Sequence, residues 1–434
     1  MDQKNLLIGP TLLCSGNPFL SPWEEALRID TSGAVLVEGG KIRAVGNAHT
    51  LAETHPDAKT HRYSNALICP GFVDSHVHYP QTAMIASWGK RLIDWLNTYT
   101  FPEEMRFDDP VYARLIADRY LDLTLAHGTT TVCSYATIHP QSVDAFFEAA
   151  DQRNQRVVAG KTCMDRNAPG GLCDTAQTAY DQSKTLIEKW HGHGRAEYAI
   201  TPRFSPTSTP EQLDALGALW RENPDCLMQT HLSEQVDEIE WVKSLFPQAR
   251  DYLDTYEAHG LIGERALFGH AIHLEPREID RIRDANAAVI HCPTSNTFIG
   301  SGLMDTQGLA ARGIPVGLAT DTGGGSSFSM LRTMAAAYEV AQLRGTALHA
   351  SQLLWLATAG SAQAMHMGDK IGTLAPGFEA DICVLDLAST PAIAQRHANA
   401  KDIWEAIFPT LMMGDDRAIS DVWVAGTRQH QRLS

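Results

Sequence analysis

The strongest constraint on the fold is an alternation through the middle of the chain. Short apolar runs near residues 67–78, 130–136, 156–163, 197–203, 226–232, 266–272, 287–292 and 315–321 read as buried strands. Between them lie segments with apolar residues at helical spacing, such as 111–126, 142–154, 175–190, 211–222, 276–285 and 327–343. Pro276 suits a first helical position, where its missing N–H costs nothing. Eight strands alternating with helices are the pattern of a closed parallel (β/α)8 TIM-like barrel, in the α/β class. The flanks read differently. Residues 34–38 and 41–45 are strand-like around Gly39-Gly40, a hairpin signal, and 380–385 and 421–425 are strand-like near the far end. Length alone, 434 residues, points to about three domains. The pattern points instead to a barrel over 69–370 and one small β domain built from 1–68 and 371–434.

Composition enters as an exclusion. With 44% hydrophobic and 20% charged residues the chain is globular in character. A net charge of −16 argues against nucleic acid or anionic membrane as a partner, since both need clustered Lys and Arg. The first apolar run is too short for a signal peptide, and no 18-residue apolar stretch predicts a transmembrane helix. Eight cysteines without framework spacing read as buried thiols of a cytoplasmic protein. There is no C-x-x-C pair, P-loop or H-E-x-x-H motif.

The chain has 18 histidines, and a few fall at strand ends. The first strand ends Asp74-Ser75-His76-Val77-His78, and residues two apart on a strand share a face. His76 and His78 can therefore point together as imidazole ligands. Taken alone, two ordinary histidines explain such a pair better. But the fifth strand ends Thr230-His231-Leu232-Ser233-Glu234, the sixth Gly269-His270 and the eighth Thr320-Asp321. All fall on the rim where barrel enzymes hold their chemistry, and their agreement predicts a catalytic metal.

The string Pro70-Gly71-Phe72-Val73-Asp74-Ser75-His76-Val77-His78, with His231, His270 and Asp321 after it, resembles the amidohydrolase superfamily over nearly the whole chain. The resemblance implies His76, His78, His231 and Asp321 as ligands of one divalent ion per subunit, most often zinc, with iron as the other candidate. It implies that His270 lies beside the ion and that 1–68 and 371–434 fold together as a small β-sandwich. Two-metal members carry a lysine after the fourth strand, and Ala199-Ile200-Thr201-Pro202-Arg203-Phe204 has none, which favours a single metal.

Within the superfamily, the loop His78-Tyr79-Pro80-Gln81 with Trp95-Leu96-Asn97 and Thr100-Phe101-Pro102-Glu103 resembles the branch that deaminates guanine. Thr201-Pro202-Arg203-Phe204-Ser205 and His291-Cys292-Pro293-Thr294-Ser295-Asn296 do so too. That likeness implies guanine as a small-molecule substrate, converted to xanthine and ammonia by attack on C2 of water activated at the ion. Gln81, Arg203 and Phe204 would hold the purine beside His231, Glu234, His270 and Asp321. Glu234, Asp321 and His270 would be catalytic: Glu234 carries a proton to N3, Asp321 accepts one from the nucleophile, and His270 steers the attacking oxygen. Amide and guanidinium groups also suit guanine chemically, since it offers a carbonyl O6 and ring nitrogens. The bland alternatives are a salt bridge for Arg203, loop capping for Gln81, mouth packing for Phe204 and a solvated loop acid for Glu234. Other rings (8-oxoguanine, a triazine, cytosine or an adenosine-derived nucleoside) are the alternative substrates, and an inactive scaffold is a reading from another class. The family resemblance implies a homodimer. His273-Leu274-Glu275 lacks the P-C-x-x-C of the other zinc deaminase design. His191 and His193 read as an exposed loop, His291 and Cys292 as structural, and Asp415-Asp416 as a solvated turn.

Overall fold

The computed structural model describes residues 4–89 and 91–432, so residues 1–3 and 433–434 of the expected composite domain lie outside it. Eight parallel strands form the barrel: Phe72–His78, Thr129–Tyr135, Arg156–Gly160, Ala196–Pro202, Leu227–Leu232, Ala266–His270, Ala288–His291 and Val316–Leu318. Each pairs with the next in sequence. Thr162–Cys163 prolongs the third strand against the fourth. The gap between eighth and first is bridged at the rim. There the Asp321 N–H donates to the His76 carbonyl and the His78 N–H to the Thr322 carbonyl, both at 3.1 Å. The strands are buried almost throughout, which is why they read as apolar runs without alternation.

Helices cover the barrel at Pro110–Ala126, Pro140–Gln152, Ala176–Trp190, Pro210–Glu222, Pro276–Asp284 and Met330–Leu343, each within a few residues of its sequence pattern. Their starts follow from capping chemistry. Asp109, Thr209 and Ser329 accept from backbone N–H groups of the first turn, and Pro110, Pro140, Pro210 and Pro276 occupy the first helical position. Among the described residues no helix is long and apolar enough to cross a membrane.

Two further sheets lie outside the barrel. One is four-stranded, from Asn5–Ile8, Gly33–Glu38, Lys41–Asn47 and Lys59–Arg62, and contains the expected hairpin with Glu38 opposite Lys41. The other is six-stranded and mixes both ends of the chain: Thr11–Cys14, Leu27–Asp30 and Ala66–Pro70 with Ile382–Asp386, Ile419–Val424 and Thr427–Gln431. Leu7, Val35, Val37, Ile68, Ile382, Val384 and Trp423, drawn from both sheets, form one apolar cluster between them.

The run read as one strand over 67–78 is in fact two. Residues 66–70 belong to the six-stranded sheet and 72–78 to the barrel, with the turn-prone Pro70-Gly71 at the break. The eighth strand, read over 315–321, keeps its ladder only through Leu318, and the backbone turns left-handed at Asp321 (φ 49°). Helical turns over 79–108 between the first strand and its helix, and the helix Val236–Leu245, were not in the sequence pattern.

Ion pairs join the barrel to the outer sheets. Arg156, which opens the third strand, holds Glu379 at 2.6 Å and Glu197 at 3.2 Å. Arg195, just before the fourth, holds Glu379 at 2.5 Å and also pairs with Asp381. Burial works to raise the Glu379 carboxyl, but the two guanidinium groups outweigh it and bring it down to about 2.

Candidate active site

Strand ends supply the floor of the site. His76, His78, His270 and Asp321 are buried, and His231 is nearly so. His76 Nε2 lies 3.6 Å and His78 Nε2 3.8 Å from the same oxygen of Asp321, and His78 Nε2 is 3.1 Å from His231 Nε2. Four ligands placed tetrahedrally at zinc–nitrogen distances would stand about 3.3 Å apart, so these atoms have the spacing a single ion requires. The hydrogen bonds agree. His231 Nδ1 donates to the Arg203 carbonyl at 2.6 Å, which leaves its Nε2 as a bare lone pair facing His78. His76 Nε2 is buried with no hydrogen-bond partner. Burial, and then the neighbouring imidazoles, hold His76, His78 and His231 well below the ordinary histidine range. Neutral imidazoles with converging ring nitrogens, that of His76 without a partner, suit a cation.

The backbone is strained at these ends. Ser233, His270, Ala271 and Asp321 have φ of 49°, 66°, 47° and 49°, a region that costs residues with a Cβ about 1–3 kcal/mol each. Gly269 is required for a different reason. A Cβ there would lie 2.6 Å from Cε1 of His76. Gly269→Ala should therefore push His76 off its position, and we expect bound metal per subunit to fall at least tenfold with the fold retained; full occupancy in the purified variant would contradict this.

Glu234 sits beside this floor. Its Oε1 accepts from Ser301 Oγ at 2.7 Å and its Oε2 is 3.5 Å from His270 Nε2. Burial pushes its carboxyl above the usual range, with His270 and Ser301 acting the other way. His270 Nδ1 bonds Asn296 Oδ1 at 2.8 Å, and its Nε2 also lies 3.8 Å from Asp321. Burial opposes charge on His270, but Glu234 and Asp321 outweigh it and hold the imidazole above its ordinary value. Asp321 is pushed up by burial against the pull of His270.

Above the floor is a cavity of about 430 Å³ with its open mouth included. Gln81, Arg203 and Phe204 line it, as do Leu92, Trp95 and Leu96 from the segment after the first strand. Gln81 Nε2 donates to Glu104 Oε1 at 2.9 Å and Arg203 Nη1 to Glu104 Oε2 at 2.6 Å. The structure thus brings every sequence-predicted site residue to one cavity or its floor: Gln81, Arg203, Phe204, His231, Glu234, His270 and Asp321 line it, with His76 and His78 against the same cluster. Arg203 does make the salt bridge considered for it, but with a residue of the site.

Two buried acids escaped the sequence reading. Glu104 follows an acidic neighbour in a segment with no clear pattern. Glu238 accepts from the N–H groups of Glu234 and Gln235, each at 3.0 Å, and so fixes the turn that carries Glu234. Its signal was a capping box opening 236–245, with Glu238 three residues after Gln235. Burial raises its carboxyl to about 7.

A family model described as Amidohydrolase family matches residues 67–428. The chain belongs to the amidohydrolase family. A second, short match, to the imidazolonepropionase-like composite domain of bacteria, covers residues 33–58. The chain is 44% identical over 408 residues to a guanine deaminase of Escherichia coli, covering 94% of this chain and 93% of the relative. It is 41% identical over 420 residues to a probable guanine deaminase of Deinococcus radiodurans, covering 94% and 95%. Among solved structures, E. coli guanine deaminase superposes with a TM-score of 0.96 at 42% identity, over 99% of this chain and all (100%) of that one. Guanine deaminase from C. acetobutylicum with guanine bound in the active site superposes with a TM-score of 0.89 at 28% identity, over 98% and 100%.

The amidohydrolase family is metal-dependent, and this member has groups that could hold an ion: His76 with His78 and His231, and His76 with His270, Cys292 and Asp321. His291 is separate from them in its bonding, with Nδ1 on Thr306 Oγ1 at 2.9 Å, and burial lowers it to about 3. His191 bonds Asp225 at 3.1 Å and His273 the Ser301 carbonyl at 2.8 Å. Asp415 accepts from Arg417 in an exposed turn.

Proposed function

We propose that this amidohydrolase deaminates guanine to xanthine and ammonia. The observation that carries the reading is one cavity with a cation-ready floor of three imidazoles and Asp321, and a wall where Arg203 and Gln81 can read a purine edge. The names of the relatives support it. His76, His78, His231 and Asp321 would hold one ion per subunit. Zinc suits three nitrogens and one carboxylate oxygen best, with Fe2+ second. When bound, such an ion lowers the pKa of water from 15.7 to about 7.

The chain's own groups do the rest. Phe204 and the apolar wall hold the ring and exclude water. As the water oxygen attacks C2, Asp321 accepts its proton and the ring N3 takes one from Glu234. His270, fixed by Asn296, orients the attacking oxygen through Nε2. Asp321 then delivers that proton to the amino group while the remaining hydroxyl proton passes to Glu234, the C2–N bond breaks, and ammonia leaves with C2 as a carbonyl and both acids restored. In this reading residues 69–370 are the catalytic unit and 1–68 with 371–434 one supporting domain. The enzyme would be cytoplasmic, and a homodimer as the family resemblance implies.

A substrate panel with metal quantification tests the proposal. Guanine should release ammonia with the ultraviolet change to xanthine, chelation should abolish turnover, and zinc should restore it. No turnover of guanine with good turnover of a triazine, cytosine, 8-oxoguanine or an adenosine-derived nucleoside would overturn the substrate.

A further inference from the structure

Gln81 and Arg203 are not independent contacts. Both are bound by one carboxylate, and Glu104 is itself 1% exposed. A carboxylate only accepts. Next to it the Gln81 amide must present its NH2, so its carbonyl turns away from Glu104. That carbonyl, Oε1, is buried without a partner. It rests against Gly323, where any Cβ would lie 1.9 Å from it. Arg203 spends one N–H on Glu104 and keeps its other donors. Both residues line the cavity, so its wall can offer a ring the spare donors of Arg203 and, from Gln81, the carbonyl that Glu104 cannot bind.

We infer that Glu104 is a positioning residue that sets this donor–acceptor order and so selects a ring bearing a lactam edge, C=O beside N–H. The inference rests on the proposed function for the identity of the ring. Guanine presents O6 as acceptor and N1–H as donor, which match Arg203 and Gln81. An amidine edge, as in adenine or 2,6-diaminopurine, presents an amino donor to Arg203 and a bare N1 to the Gln81 carbonyl. Both contacts are then mismatched. A site built on hydrogen bonds rejects such an analogue by about 10⁴-fold. In Glu104→Gln the new amide can donate as well as accept, and Gln81 can turn over.

Two comparisons on the metal-loaded protein read the edge. Hypoxanthine and adenine lack the 2-amino group that leaves, so their equilibrium binding reports recognition without turnover. Wild type should prefer hypoxanthine by at least ~100-fold, and Glu104→Gln should bring the two within ~10-fold. Guanine and 2,6-diaminopurine both keep the 2-amino group, and their kcat/KM ratio should fall at least ~100-fold in the variant. A merely structural role would lower both substrates together, and an unchanged ratio would overturn the inference. Equal binding of hypoxanthine and adenine by wild type would overturn it even if the variant failed to fold. Tight, selective hypoxanthine binding without guanine turnover would support the edge reading and sink the proposed reaction instead.

Discussion

Replacing Glu234 by glutamine is expected to lower kcat by about 10³-fold while KM moves little and bound metal stays at wild-type level. The substitution keeps the size of the side chain and lets its carbonyl accept from Ser301, so the cavity should keep its shape. What it removes is the ability to carry a proton between the ring and the leaving amino group, and general acid–base groups contribute about 10²–10⁴-fold. Glu234 suits the task because burial raises its carboxyl, easing delivery of a proton near neutral pH. Steady-state kinetics with metal analysis make the check. A loss below tenfold would show that the proton travels by another group. Asp321→Asn should differ in kind, because a candidate metal ligand loses its charge. There both occupancy and turnover should collapse, and turnover within a few-fold of wild type would refute the role given to Asp321.

Glu379→Gln is expected to destabilise the protein by about 3 kcal/mol without touching the site. Breaking a buried ion pair by removing one partner costs about 3–5 kcal/mol, since the remaining charges stay buried. Here Arg156 and Arg195 would both lose their shared carboxylate. The pH dependence has a definite sign. The folded-state pKa of Glu379 lies at about 2, below its unfolded value, so its contribution is present above the ordinary carboxylate pKa. It is lost as pH falls from about 4.3 toward the folded value. Denaturation curves should therefore show a wide gap between wild type and variant at pH 7 that narrows across that window. A gap constant down to pH 3 would mean that the charge of Glu379 contributes nothing.

What could be read from the sequence follows from distance along the chain. His76 and His78 are visible because strand geometry alone puts residues two apart on one face. His231, His270 and Asp321 become visible once strand ends are counted, since all strand ends of a parallel barrel share a rim. Glu104 is different. Its partners lie 23 and 99 residues away, and they meet only after the segment over 79–108 has folded across the barrel mouth. No periodicity marks that segment, so the acid that ties Gln81 to Arg203 had no signal. The strand break at Gly71 was hidden for the opposite reason. Residues 66–73 are continuously buried, and apolarity does not say which sheet a residue joins.

The mixed six-stranded sheet has a consequence for synthesis. Ala66–Pro70 is flanked by Ile382–Asp386, and the Cys69 thiol bonds the carbonyl of Cys383, 314 residues later. At ~5–20 residues per second, a nascent chain shows that apolar edge for about 15–60 s before its partner leaves the ribosome. An unpaired edge of this kind recruits other strands. During that interval the edge is open to pairing with other chains, and a premature stop before residue 382 would leave it open permanently.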